Sequence, residues 1–105
     1  MPVEFTKIPR VPISSNVTLV SADQEYSHVL SGDCKFFSLQ CRTAFDVRFA
    51  FETGKVAGPT APYSTLKSGG SYNSPEDWGS YSAYSSTIYL ASSQAGVVVE
   101  VLEWE

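Results

Sequence analysis

Charged side chains are scarce in this sequence, and this scarcity excludes several classes of protein. Asp, Glu, Lys and Arg make up 17% of the 105 residues, against about 25% in an average soluble domain. The formal net charge is -4, whereas nucleic-acid binding requires clustered Lys and Arg. No apolar run approaches the roughly 20 residues that cross a bilayer. We therefore expect no nucleic-acid partner and no membrane, and the early Glu4 and prolines argue against a signal peptide.

Histidine is almost absent, which limits metal and catalytic sites. His28 is the only histidine, and there are two cysteines, whereas a structural zinc site takes four Cys or His ligands. No serine lies in a G-x-S-x-G turn that would present a nucleophile. We therefore predict no metal, no cofactor and no Ser-His-Asp triad, and interpret His28 as a structural, surface or partly buried residue.

Two groups of carboxylates could suggest chemistry. Glu76 and Asp77 stand beside Trp78, as an acid pair stands beside a sugar in glycosidases. They also follow Ser-Pro in a predicted first helical turn, where the helix dipole favours acids, and we prefer that interpretation. Glu100, Glu103 and Glu105 are interpreted as a solvated strand end. The sequence therefore predicts no catalytic residue and no enzyme.

The two cysteines are predicted to be thiols. Cys34 and Cys41 bound the segment CKFFSLQC, which is typical of one strand. Seven steps of about 3.3 Å would separate their Cα atoms by roughly 23 Å, and a disulfide requires less than about 7 Å. Their opposite parity predicts opposite faces of the sheet, with Cys41 in the core.

Short stretches of alternating polarity dominate the chain after residue 15. They predict seven or eight strands spaced about ten residues apart, with a long Gly- and Pro-containing loop over 53–63 and a final strand, 97–104, covered on both faces. The pattern favours an all-β fold, a single antiparallel β-sandwich that is jelly-roll-like. The predicted core is formed by inward-facing residues of these strands: Val17, Leu19, Phe37, Leu39, Cys41, Val47, Phe49, Phe51, Ile88, Leu90, Val99 and Val101.

Residues 1–15 are predicted to form an extended N-terminal arm, followed by one domain over 16–105. Three prolines in the arm prevent a central strand or a helix interior. Alternate apolar residues still give the arm one apolar side, which we expect to contact a partner; these residues are Val3, Phe5, Val11 and Ile13.

A second candidate binding surface is an aromatic loop rich in serine. Trp78, Tyr81 and Tyr84 lie there among small polar residues, a composition that suits sugars and protein partners. The alternative is that these rings cover one end of the domain.

Several segments resemble small virion structural proteins of tailed bacteriophages. They are SADQEYSHVL, FSLQCRTAFDVRFAFETGKVAGPTAPYSTLKSGGSY, TIYLASSQAG and VVVEVLEWE. Together they cover roughly residues 17–104 as a pattern of strands and turns, without a chemical signature. The segment NSPEDWGSYSAYS departs from that pattern.

The resemblance implies a non-enzymatic protein of the virion, assembled in the host cytoplasm. The first expectation is a capsid decoration (cement) protein that docks on the major capsid protein. A tail or neck adaptor, a fibre component, or a module that binds host carbohydrate through the Trp78–Tyr84 loop are the alternatives. A closed homo-oligomer is expected, with a trimer favoured because it suits threefold capsid sites.

Overall fold

A computed structural model describes residues 11–31, 34, 36–74 and 87–104, and within these ranges the secondary structure is all β. Two antiparallel four-stranded sheets are present, ordered β1-β8-β3-β6 and β2-β7-β4-β5. The prediction of an all-β antiparallel fold is confirmed. The strands are β1 Ile13–Leu19, β2 Tyr26–Val29, β3 Phe36–Cys41, β4 Val47–Ala50, β5 Ser64–Leu66, β6 Ser71–Asn73, β7 Thr87–Ala91 and β8 Val97–Trp104.

Side chains from both sheets form one hydrophobic core. Alternation along each strand places every second residue on the inner face, and β8 shows this over its full length. The buried members of the core are Leu19, Leu30, Cys34, Phe37, Leu39, Cys41, Val47, Phe49, Leu66, Ile88, Leu90, Val97, Val99 and Val101.

The core prediction is wrong for Phe51 and too strong for Val17. The side chain of Phe51 is 51% exposed, because β4 ends at Ala50 and the chain turns there. Val17 is only partly buried, since it lies on β1 at the edge of its sheet.

The expectation that the last strand is covered on both faces is met fully on one face and only in part on the other. Strand β8 is central in its sheet, but Val98 and Leu102 on its outer face are only half-buried. The Trp104 ring lies on the same face and stacks on Phe36 at a centroid distance of 4.8 Å. A strand that is central in its sheet, as β8 is, therefore need not have both of its faces fully buried.

The cysteines occupy the same core and not opposite faces. Cys34 precedes β3, which begins at Phe36, so strand parity does not apply to it. Both cysteines are buried and no disulfide joins them. The Cys41 sulfur lies 3.1 Å from the carbonyl oxygens of both Thr43 and Phe45, and either can accept its single hydrogen.

The long loop after β4 packs on the outer face of the second sheet. Val56 is fully buried against Ala50 and Ala91. The Arg48 guanidinium donates from Nε to the Val56 carbonyl at 2.6 Å. The Glu25 carboxylate accepts from the Thr53 hydroxyl and the Gly54 N–H. These contacts hold the loop, although its Gly and Pro content prevents regular pairing.

Asp46 ties the turn after β5 to the start of β4. Its carboxylate accepts from the Ser68 N–H at 2.8 Å and from the Lys67 ammonium at 3.1 Å. These bonds, the backbone one foremost, hold the pKa of Asp46 below its usual value of 3.8. A lowered folded-state pKa stabilises the fold above the unfolded pKa, and this contribution is lost as the pH falls through the folded pKa.

We therefore expect Asp46→Asn to lower the melting temperature at neutral pH. The difference from wild type should shrink as the pH falls below the ordinary aspartate pKa, because the wild-type carboxyl is then protonated. Thermal unfolding across a pH series measures this. A difference that stays constant into acid would assign the effect to another cause.

Candidate functional site

Of the four arm residues predicted to contact a partner, two lie among the described residues. Val3 and Phe5 lie outside the described residues. Val11 is 82% exposed and Ile13 is 40% exposed, so both apolar side chains are available to a partner. Ile13 is the first residue of β1, and the strand therefore begins inside the segment 1–15 that the sequence assigns to the arm.

Strand β1 lies at the edge of its sheet, and among the described strands it pairs with β8 alone. Its sequence, ISSNVTL, contains no charged residue and no proline. Folded proteins commonly protect an edge strand with lysine, proline, a bulge or short length. None of these protects β1 along Ile13–Leu19, which makes this edge a candidate contact surface.

Trp78, Tyr81 and Tyr84 of the aromatic loop lie outside the described residues. Its beginning is described. The Ser74 hydroxyl accepts from the Phe37 N–H at 2.8 Å, and the Ser74 N–H donates to the Phe37 carbonyl at 2.9 Å. The chain therefore leaves β6 from a buried residue fixed to β3.

An aromatic cleft of about 200 Å³ lies where β4 ends beside the start of β5. Two of its side chains are exposed aromatics, Phe51 and Tyr63, with Tyr63 38% exposed. The Phe51 ring contacts Phe37 and Phe49 edge-on. The cleft is smaller than the roughly 300–1,000 Å³ typical of sites for drug-sized ligands, so it suits a single ring. Its lining comprises Phe49, Ala50, Phe51, Glu52, Pro62, Tyr63 and Ser64.

This cleft was not predicted from the sequence. Tyr63 is an aromatic residue at the end of the Gly- and Pro-containing loop, and this was the only local signal. Its proximity to Phe51 depends on the pairing of β4 with β5, where Phe49 faces Ser64. No local pattern contains that information.

A buried acid and the single histidine connect the two sheets. Glu103 on β8 is 3% exposed, and its Oε2 lies 2.7 Å from Nε2 of His28 on β2. Its Oε1 accepts from the Ser31 N–H at 2.6 Å. The interpretation of Glu103 as part of a solvated strand end is therefore wrong. Its parity with the buried Val99 and Val101 was the available signal.

The chemistry of this pair is that of a polar link between sheets. The His28 side chain is 16% exposed, in agreement with a partly buried structural histidine. The other ion pairs of the described chain, such as Arg42–Glu100 and Lys67–Asp46, are more exposed. We therefore expect His28–Glu103 to contribute more to stability than the more exposed pairs, because a buried carboxylate needs a hydrogen-bond partner.

Within the described ranges, no group of three or more His, Cys, Asp or Glu side chains is placed to hold a metal ion. Those ranges also contain no helix long and apolar enough to cross a membrane.

Comparisons with protein-family models, with curated proteins and with solved structures found no match for this chain.

Proposed function

We propose that this protein is a non-enzymatic structural subunit of a bacteriophage virion, a decoration protein that docks on the major capsid protein. On this proposal it assembles onto the particle in the host cytoplasm. The sequence resemblance suggests the class, and the strand connectivity is the observation that carries the proposal.

The strands pair in a nested series. Strand β1 pairs with β8, β2 with β7, β3 with β6, and β4 with β5. Pairing of β3 with β8 and of β4 with β7 joins these ribbons into two sheets. This is the order expected when one long antiparallel hairpin is rolled into a sandwich. It supports a jelly roll, an architecture that recurs in viral capsid and lectin domains.

The proposed docking surface is the apolar side of the N-terminal segment. Val11 is the most exposed large hydrophobic residue of the described chain, and Ile13 follows it on the same parity. Burying exposed apolar side chains of this kind contributes about 25 cal/mol per Å² of apolar surface removed from water. The lattice of a capsid repeats such a contact many times.

An add-back experiment tests the proposal. Particles assembled without this protein would be incubated with the purified chain, and bound copies counted by gel densitometry against the major capsid protein. We expect Val11→Asp to weaken binding at least tenfold, since it places a charge in the apolar contact. Val29→Asp is the matched control, because Val29 is also highly exposed but lies on β2.

The outcomes separate the alternatives. A copy number comparable to that of the capsid protein supports decoration, whereas a few copies per particle support a neck, tail or fibre position. Equal loss in both variants, or in neither, would exclude the N-terminal segment as the docking surface. Absence of the chain from purified virions would overturn the proposal.

Carbohydrate binding is a second candidate function, favoured by the aromatic cleft. Exposed aromatic faces such as Phe51 and Tyr63 suit the apolar face of a sugar ring, and the Glu52 carboxylate can accept from hydroxyls. Saturation-transfer NMR with a panel of methyl glycosides would measure it. Tyr63→Ala should abolish any signal, while Phe45→Ala, an exposed phenylalanine outside the cleft, should retain it.

A further inference from the structure

The side of β1 that faces away from β8, called here the open edge, has an unusual set of properties. The other edge strands are shorter: β2 has four residues, while β5 and β6 have three each. Strand β1 has seven. It is therefore the longest edge of the described fold, and it carries no charge that would deter pairing with another strand.

The backbone groups on the open edge can be assigned from hydrogen bonds elsewhere in the sheet. The Arg42 N–H donates to the Val98 carbonyl at 2.9 Å, so the polar backbone groups of Val98 point to β3. Because these groups alternate along a strand, those of Val99 and Val97 point to β1.

The direction of the backbone N–H and C=O groups alternates along β1 in the same way. Its residues opposite Val97 and Val99 are Leu19 and Val17, and the Leu19 carbonyl accepts from the Gly96 N–H on that side. The backbone N–H and C=O groups of the intervening residues therefore point outward. These residues are Ser14, Asn16 and Thr18, and their side chains are exposed.

We propose that two copies of this chain pair through their β1 strands, antiparallel, about a twofold axis at Asn16. In that register Asn16 faces Asn16 of the second copy, and Ser14 faces Thr18. All seven residues of each strand overlap, and every outward backbone group gains a partner. The β1-β8-β3-β6 sheet of one copy and the same sheet of the second copy then form one continuous sheet.

A second copy suits this edge better than an unrelated strand for two reasons. Identical uncharged edges meet without like-charge repulsion, and antiparallel pairing of one strand with itself is satisfied by a twofold axis. The pairing also has a defined end. Pro12, next in the outward series, has no N–H to donate, so the ladder stops where the apolar Val11 begins.

This arrangement goes beyond the proposed docking on a capsid and differs from the trimer that the resemblance favours. A threefold assembly would require β1 to meet a different edge of its neighbour. The described alternatives are three- or four-residue strands, which offer fewer backbone groups. The edge lengths therefore point to a dimer.

Sedimentation equilibrium of the purified full chain over a concentration series tests the inference without any virion. We expect wild type to dimerise and Asn16→Asp to weaken self-association about tenfold or more. The nearly isosteric change places two carboxylates across the axis, roughly 5.5 Å apart at Cα, and Glu100 is the neighbour of Asn16 on β8. Asn73→Asp, the same change on the exposed edge strand β6, should leave dimerisation unchanged.

A second experiment tests the same interface with opposite charges. An equimolar mixture of Asn16→Asp and Asn16→Lys chains should form a heterodimer, because opposite charges then meet at the axis. The inference is overturned if wild type is monomeric at its solubility limit, if it is trimeric, or if Asn73→Asp disrupts association as much as Asn16→Asp. A dimer that fails to bind particles would instead contradict only the proposed function.

Discussion

Replacing Phe49 by alanine is expected to destabilise the fold by about 3–5 kcal/mol, the range for a buried phenylalanine truncated in a core. Phe49 is 4% exposed at the centre of the inner face of β4. Its ring lies 5.1 Å from that of Tyr72 and 6.3 Å from that of Phe51. Tyr72 belongs to the other sheet, so the truncation removes contacts within and between layers. Chemical denaturation followed by Trp fluorescence measures the loss.

The size of this effect matters because domains are stable by only about 5–15 kcal/mol. Phe45→Ala is the matched control, since Phe45 precedes the same strand but is 45% exposed. Its cost should be roughly 0.5 kcal/mol or less. A loss below about 1 kcal/mol for Phe49→Ala would contradict the assignment of Phe49 to the inner face.

The strands could be predicted from the sequence because period-two alternation is a local property. Val47 and Phe49 alternate with Arg48 and Ala50, and the strand lies where that pattern is clearest. The same pattern continues to Phe51, although the strand does not. Where hydrogen bonding ends depends on neighbouring strands, so alternation alone overestimates the length of the buried face.

Glu103 shows the opposite error. Strand parity places it with Val99 and Val101 on the inner face, but its charge favoured a solvent position. The partner that permits its burial is His28, 75 residues earlier in the chain. The burial of a charged side chain can be inferred from sequence only when its distant partner is known. A single sequence does not show that the strands carrying His28 and Glu103 lie close together.

The candidate binding surfaces also differ in whether local sequence patterns could predict them. The placement of Val11 and Ile13 on one side of an extended segment was predicted from proline content and alternation, both of which are local. The open edge of β1 follows from the order β1-β8-β3-β6, in which the first strand pairs with the last. The cleft at Tyr63 likewise requires a pairing between separate strands. Such nonlocal order could not be obtained from residue patterns.

The second large effect is expected at the His28–Glu103 link. Glu103→Ala should destabilise the protein by about 3–5 kcal/mol, because it removes two hydrogen bonds to a buried carboxylate, each worth about 1.5–3 kcal/mol. The change removes the acceptor for the Ser31 N–H and the partner of His28 Nε2 together. Urea denaturation at neutral pH measures the free energy of unfolding.

Glu103→Gln is the conservative control for that change. The glutamine carbonyl can still accept from Ser31, and its amide can donate to a neutral imidazole, so the polar atoms keep partners of the right kind. We expect a cost of about 1–2 kcal/mol, the difference between a neutral hydrogen bond and a charge-assisted one. A cost equal to that of alanine would show that charge, and not hydrogen bonding, holds the link.

A double-mutant cycle with His28→Ala isolates the contact between the sheets. Each single change to alanine removes the 2.7 Å contact, so the second change costs less once the first is present. We expect a coupling energy of about 1–3 kcal/mol, within the range for residues in direct contact. Additive losses would mean that Glu103 acts through Ser31 alone. Because His28 lies on β2 and Glu103 on β8, a measured coupling would identify this pair as a polar tie between the two layers, at the end of the fold where β1 begins.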